Sequence, residues 1–122
     1  YYTIYQNANE YPALIPQVYL HYDPHARTWR GSNVVYTHQR MDFLMLLPNG
    51  IRVVIEIDGK QHYSEGDISS PKLYAEMMVD TRKLQLKGYE VYRFGGYEFM
   101  DSQQMKQTVR DFFEMLFKKY SI

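Results

Sequence analysis

Apolar residues of the chain follow two periods, one typical of strands and one typical of helices. Alternating or continuous apolar runs predict strands over 17–22, 41–47, 51–58 and 89–94. Apolar positions three to four residues apart predict one helix that begins near residue 71 and a second over about 102–120. Residues 1–16 have no clear period and are expected to form loop or irregular helix. This order of elements predicts one domain that contains both strands and helices.

The predicted helices have recognisable ends. Ser70 suits an N-cap and Pro71 the first helical position. Gly88 is the residue type that commonly ends a helix, and Asp101 or Ser102 can cap the second helix. These signals therefore mark both ends of the first helix and the start of the second.

The segment Pro48-Asn49-Gly50 separates the two most apolar strands and sets their register. A three-residue hairpin loop is commonly a type I turn followed by a left-handed residue, and these residue types suit that order. Leu47 then pairs with Ile51, which places Asp42 directly opposite Glu56. A two-residue loop would instead send Asp42 to the other face.

Charged residues occupy alternate positions where the third strand ends. Glu56, Asp58 and Lys60 share one face, because side chains of a strand alternate between faces. Directly opposed like charges such as Asp42 and Glu56 are destabilising. A divalent cation would offset that cost, since Mg²⁺ or Mn²⁺ prefers carboxylate oxygens. The simpler interpretation is a solvated face on which Lys60 neutralises Asp58.

These residues resemble a known catalytic signature. Asp42 followed by Glu56-Ile57-Asp58-Gly59-Lys60 looks like that of the PD-(D/E)XK nuclease superfamily. Asp58-Gly59-Lys60 matches the (D/E)XK tripeptide literally. Glu56-Ile57-Asp58-Gly59 with His62 is alternatively similar to the E-x-D-G-x-x-H pattern of very-short-patch-repair-like endonucleases. The second match is preferred, because residues 88–94 also resemble the G-y-x-V-x-R-F strand of that group.

The resemblance implies an α/β fold with a restriction-endonuclease-like core, in which a central mixed sheet of about four strands is flanked by helices. It also implies a Mg²⁺-dependent endonuclease that hydrolyses DNA, with Mn²⁺ as an alternative metal and RNA as an alternative substrate. It implies metal ligands at Asp42, Glu56 and Asp58, with Lys60 as the fourth catalytic residue. Two departures stand out. The family's first core helix should precede residue 17, where Glu10 is a poor substitute for its acid. The acid of the first predicted helix, Asp80, also lies closer in sequence to Gly88 than the resemblance to that group implies.

Several candidate residues keep two interpretations. Nucleic-acid contacts are expected from His62, Lys83 and Arg93, but His62 also fits a structural role and Arg93 also fits a pair with an acid. Asp80 lies within an apolar stripe and needs a partner. Lys83 or Arg93 could provide it, in a buried salt bridge or near the metal.

Composition limits the function further. The chain of 122 residues suits one domain over 1–122, and its start without Met indicates a piece of a longer protein. The net charge is zero, so nucleic-acid binding must depend on local patches. No Cys is present, and we expect a soluble, cytoplasmic protein without a membrane partner. A second copy or a linked targeting domain would assist binding to DNA.

Two other function classes stay open. A catalytically inactive module of the same fold would bind nucleic acid or protein without cleavage. An interaction domain would instead dock its last helix, with Phe112, Phe113, Leu116 and Phe117, on another chain.

Overall fold

The computed structural model describes residues 1–7, 9–19, 40–59, 64–66 and 68–122. Six strands and two α-helices follow one another in these ranges: strands β1 (Leu14–Tyr19), β2 (Arg40–Leu46), β3 (Arg52–Asp58), β4 (Ser64–Glu65) and β5 (Ile68–Ser69), helix α1 (Pro71–Leu86), strand β6 (Tyr89–Gly95) and helix α2 (Ser102–Lys119). Short 3-10 helices occupy Pro48–Gly50 and Gly96–Phe99. The strands predicted at 41–47, 51–58 and 89–94 are therefore confirmed within one residue at each end. The end of the first predicted strand, 20–22, lies outside the described residues, as do Lys60 and His62.

Four strands form one sheet in the order β1-β2-β3-β6. β1, β2 and β3 are antiparallel neighbours, whereas β6 lies parallel to β3 after the α1 crossover. β4 and β5 form a separate two-stranded hairpin that the sequence patterns did not predict. The predicted mixed sheet of an α/β protein is thereby confirmed.

The two helices cover opposite faces of this sheet. Phe113, Leu116 and Phe117 of α2 pack with Met45 and Val53 in one buried cluster. Leu84 of α1 packs with Leu44 and Val54 in a second cluster. Val53 and Val54 are both fully buried, since successive residues of β3 face opposite helices.

Both helices begin where their capping residues predict. The Ser70 hydroxyl accepts a hydrogen bond from the Leu73 N–H, with Pro71 in the first turn. The Asp101 carboxylate accepts from the N–H groups of Gln103 and Gln104 and caps α2. Gly88, with φ of +90°, follows the last turn of α1. Within the described residues, neither helix combines the length and apolar character that crossing a bilayer requires.

Two local predictions were wrong. The first strand begins at Leu14 rather than residue 17, because β1 is an edge strand that tolerates Pro16 in its ladder. The turn after β2 differs from the expected type, since Asn49 already has φ of +63° and Gly50 follows with +74°. Asn adopts the left-handed region more readily than most residues. The loop still contains three residues, so the predicted register is unchanged.

In both β1 and β2, the alternation of side chains between the two faces of the sheet is interrupted at the same position along the strands. Leu14 and Val18 are an even number of residues apart but pack in opposite clusters, and so do Met45 and Met41. Gln17 lies between the first two and has a left-handed φ of +51°. The ladder between the strands skips its pairing with Asp42. The sheet is therefore locally distorted where Asp42 lies.

Candidate active site

Asp42 and Glu56 lie opposite each other on the α1 face of the sheet. The observed pairs Phe43 with Ile55 and Leu44 with Val54 confirm the predicted register as far as Phe43. The backbone pairing does not include Asp42 and Glu56, but a hydrogen bond joins their side chains. The Leu47 N–H donates to the Ile51 carbonyl at 2.8 Å, so hydrogen-bonded pairs alternate from that position. If this alternation is continued past Phe43 and Ile55, Asp42 and Glu56 fall at a position of the type without backbone hydrogen bonds. Side chains approach most closely at such positions.

The β2–β3 ladder ends at this acid pair. The next hydrogen-bonded pair would join Met41 with Ile57, but the observed pairing stops at Phe43 and Ile55. The Ile57 N–H instead donates to Oδ2 of Asp42 at 2.9 Å. The Asp42 side chain thus replaces a backbone acceptor, which orients its carboxylate toward β3.

The electrostatics of the pair differ from those of an exposed carboxylate. Burial raises the pKa of Glu56 to about 8, and the charge of Asp42 and a hydrogen bond with it act in the same direction. The positive charge of Arg93 opposes this shift only in part. Near neutral pH the metal-free pair therefore retains a proton between its two carboxylates.

Asp58 has a different partner. Its side chain is buried and its Oδ1 lies 2.8 Å from Nη1 of Arg93. Arg93 is the β6 neighbour of Glu56 in the parallel register. The three predicted acids consequently form two units: an opposed pair, Asp42 and Glu56, and an ion pair of Asp58 with Arg93.

Arg93 also contacts helix α1. Its Nε donates to Oγ1 of Thr81 at 2.6 Å, and its Nη2 donates to the Met77 carbonyl at 3.4 Å. All three of its nitrogens therefore have acceptors inside the protein. Of the two interpretations left open by the sequence, the structure shows the pair with an acid, and that acid is Asp58 rather than Asp80.

Other predicted residues are placed farther from these contacts or outside the described ranges. Lys83 is exposed on α1, and Asp80 is half-buried one turn before it. Neither forms an ion pair with another residue of the described ranges. Glu10 is exposed and accepts a hydrogen bond from Asn7. The predicted roles of Lys60 and His62 fall outside the described residues.

The donor groups of the acid pair are carboxylates, the type of ligand that divalent cations such as Mg²⁺ prefer. Among the residues that the structure describes, no group of three or more His, Cys, Asp or Glu side chains is arranged to hold a metal ion. Asp42 and Glu56 nevertheless suit Mg²⁺, which is commonly bound by one or two carboxylates together with waters and substrate phosphate. Burial and the charge of Asp42 raise the pKa of Glu56, and a bound divalent cation would offset that repulsion, so the donor pair fits such an ion. Asp58, held by Arg93, adjoins this donor pair.

Sequence reasoning missed two contributors to the site, the Thr81 hydroxyl and the Met77 carbonyl. Thr81 lies four residues after Met77 and three before Leu84, on the stripe that faces the sheet. A hydroxyl at such a position needs a polar partner, which is a usable sequence signal. The carbonyl of Met77 leaves no such signal, because every residue of a helix carries one.

Comparison with models of protein families, with curated proteins and with solved structures finds no match to this chain.

Proposed function

We propose that the chain is a metal-dependent nuclease domain that hydrolyses phosphodiester bonds in DNA. The observation that carries this proposal is the pair of half-buried carboxylates, Asp42 and Glu56, which are joined by a hydrogen bond in a distorted part of the sheet. An arrangement that is unfavourable in the metal-free protein becomes favourable when a divalent cation is bound. Such acid pairs are therefore typical of functional sites.

The residues of the pair have distinct roles in this proposal. Asp42, oriented by the Ile57 N–H, and Glu56 would hold Mg²⁺ or Mn²⁺. A cation bound there would supply positive charge to the phosphate oxygens and lower the pKa of an attacking water. Asp58 would orient that water, with its first oxygen held by Arg93. Lys60 retains the role predicted from its sequence position, that of a cation near the phosphorus.

The architecture is compatible with the restriction-endonuclease-like core that the motifs imply. Three antiparallel strands are followed by a helix and a strand parallel to the third. Asp42 lies on the second strand, and Glu56 and Asp58 lie on the third, as in the motif resemblance. The assignment to that fold is part of the proposal.

Substrate binding should depend on few contacts. The chain has no net charge, and Arg93 uses its nitrogens inside the protein. Lys83 is an exposed cation on the helix that flanks the site. We therefore propose weak, salt-sensitive binding by the domain alone, with targeting by a linked domain or a second copy.

The direct test is cleavage of supercoiled plasmid, single-stranded DNA and RNA with Mg²⁺, Mn²⁺ or EDTA. Asp42→Asn and Glu56→Gln should each abolish the metal-dependent nicking of DNA. Glu76→Gln is the matched control, because Glu76 is exposed on the outer side of α1, and it should retain the activity. Metal-dependent nicking that persists at the wild-type rate in either purified site variant would contradict the assigned roles.

The engagement of Asp58 by Arg93 favours one alternative, a catalytically inactive module of the same fold. In that case the folded chain would bind DNA in a metal-dependent manner without cleaving it. Binding measured by fluorescence anisotropy with Mg²⁺, alongside the cleavage assay, separates these functions.

A further inference from the structure

Thr81 makes two hydrogen bonds that together define its orientation. Its hydroxyl donates to the Met77 carbonyl at 3.0 Å, a bond from residue i to residue i−4 within α1. Because the hydroxyl hydrogen is used in this way, the oxygen presents its lone pairs to the Nε–H of Arg93 at 2.6 Å. The hydroxyl of Thr81 therefore links the backbone of α1 to the guanidinium group.

The guanidinium group is planar, so fixing one edge fixes the direction of the rest. Nε and Nη2 of Arg93 are both anchored on α1, through Thr81 and the Met77 carbonyl. Nη1 is then directed at Oδ1 of Asp58, 2.8 Å away. A rotation of the guanidinium would break this contact. The chain of contacts thus runs from α1 through Arg93 to the site.

The side chains that form this series of contacts are shielded from solvent. The side chains of Arg93 and Asp58 are 19% and 10% exposed, and Thr81 is half-buried. Few waters can therefore substitute for a lost protein acceptor.

We infer that Thr81 is a positioning residue of the site, which orients the Arg93 guanidinium and through it the Asp58 carboxylate. This inference rests on the proposed function for its effect on cleavage, but its first step, the orientation of Arg93, does not. Thr81 acts on the reaction only through Arg93 and Asp58. Its contribution should therefore affect the chemical step more than substrate binding.

The test uses variants that remove or retain the hydroxyl. Thr81→Val and Thr81→Ala remove it, and the alanine variant also favours the helix, which guards against unfolding. Thr81→Ser retains it. Thr108→Val is the matched control, because Thr108 is a half-buried threonine of α2 without a contact to Arg93 among the described residues. Circular dichroism verifies that each variant is folded.

Two readouts are needed. The first is the exchange of the Arg93 Nε–H with solvent by NMR, with the resonance assigned by its loss in Arg93→Lys. Exchange should accelerate about tenfold or more in Thr81→Val and Thr81→Ala, which corresponds to a lost hydrogen bond of about 1.4 kcal/mol. It should return toward the native rate in Thr81→Ser and stay unchanged in Thr108→Val.

The second readout is steady-state cleavage of DNA. Loss of the hydroxyl should lower kcat about 10- to 100-fold, the size expected from misplacing a catalytic group, with KM within about twofold. Thr81→Ser should recover most of kcat. Equal exchange rates in wild type and the hydroxyl-free variants would overturn the inference, and so would faster exchange with unchanged kcat. Faster exchange in a protein without any cleavage would support the orientation by Thr81 and contradict the proposed function.

Discussion

The guanidinium of Arg93 on β6 forms a largely buried ion pair with the carboxylate of Asp58 on β3, with Nη1 and Oδ1 2.8 Å apart. Removing one partner leaves the other charge buried and unpaired, which typically costs about 3–5 kcal/mol. We therefore expect Arg93→Met and Asp58→Leu each to lower the free energy of unfolding by about that amount. Urea denaturation at pH 7 measures the loss.

The double variant Arg93→Met/Asp58→Leu provides the control for this prediction. Apolar replacement of both partners is often close to neutral, so the double variant should recover much of the lost stability. A double-mutant cycle would then give a large coupling free energy. Strictly additive losses would contradict the assignment of these two residues as a pair.

A second prediction concerns the dependence of stability on pH in EDTA. Burial and the charge of Asp42 raise the pKa of Glu56 from 4.5 in the unfolded chain to about 8. The folded protein therefore binds more protons between these values, so the stabilisation is complete below pH 4.5 and is lost as the pH rises through 8. Urea denaturation from pH 5 to pH 9 should show this decline.

Glu56→Gln identifies the source of that decline. The variant cannot take up the proton, so its stability should change less with pH across the same window. At pH 9 it should be more stable than wild type by about 1 kcal/mol, because the opposed charges are then removed. Parallel pH profiles of variant and wild type would show that another group is responsible.

Much of the frame of this site could be predicted from the sequence, because local rules determine it. The apolar patterns, the Ser70 cap and the three-residue loop predicted the strands, the helix start and the register of β2 against β3, which brings Asp42 close to Glu56. The partner of Arg93 could not be predicted in this way. It depends on how a parallel strand and a helix far apart in sequence come together, and local patterns do not encode that geometry.

The distortion at Asp42 also escaped prediction. Glutamine is not a residue type that favours a positive φ, so the conformation of Gln17 follows from tertiary packing. Packing of Val18 and Met41 against α1, with Leu14 and Met45 against α2, requires the strands to change their facing between these positions.

A third prediction separates the structural role of Asp42 from its proposed role in catalysis. Its carboxylate accepts the Ile57 N–H, and an amide oxygen at the same place can also accept. Asp42→Asn should therefore keep the stability of the metal-free protein, whereas Asp42→Ala should lose about 1–3 kcal/mol by leaving that N–H unpaired. Thermal unfolding in EDTA measures both.

Both Asp42 variants should lack metal-dependent cleavage, because neither provides the carboxylate ligand. Full activity in the stable Asp42→Asn variant would show that a neutral oxygen is sufficient there. It would contradict the assignment of Asp42 as an obligatory charged ligand.

The last prediction concerns Glu90 at the start of β6, away from the acid pair. Burial alone would raise the pKa of Glu90, but hydrogen bonds from Lys119, Tyr120 and Tyr92 lower it below its usual value. A lowered carboxyl pKa means that this stabilisation is present above the unfolded value and is lost as the pH falls through the folded value. Because Lys119 and Tyr120 lie at the end of α2, these bonds hold that end of the helix to the sheet. Glu90→Gln should therefore lower the free energy of unfolding at pH 7 by about 1–2 kcal/mol, with a smaller effect at pH 3.

Thermal unfolding of Glu90→Gln between pH 3 and pH 7 tests this directly. Glu114→Gln is the matched control, because Glu114 is exposed on α2 and no hydrogen bond joins its side chain to other described residues. The control should follow the wild-type profile. If Glu90→Gln also follows it, the contacts at the end of α2 do not contribute to stability.

Cleavage by Glu90→Gln should match wild type at temperatures where both are folded, since the residue contacts neither Arg93 nor the acid pair. A selective loss of kcat in the folded variant would show that the α2 end of the sheet is coupled to the site.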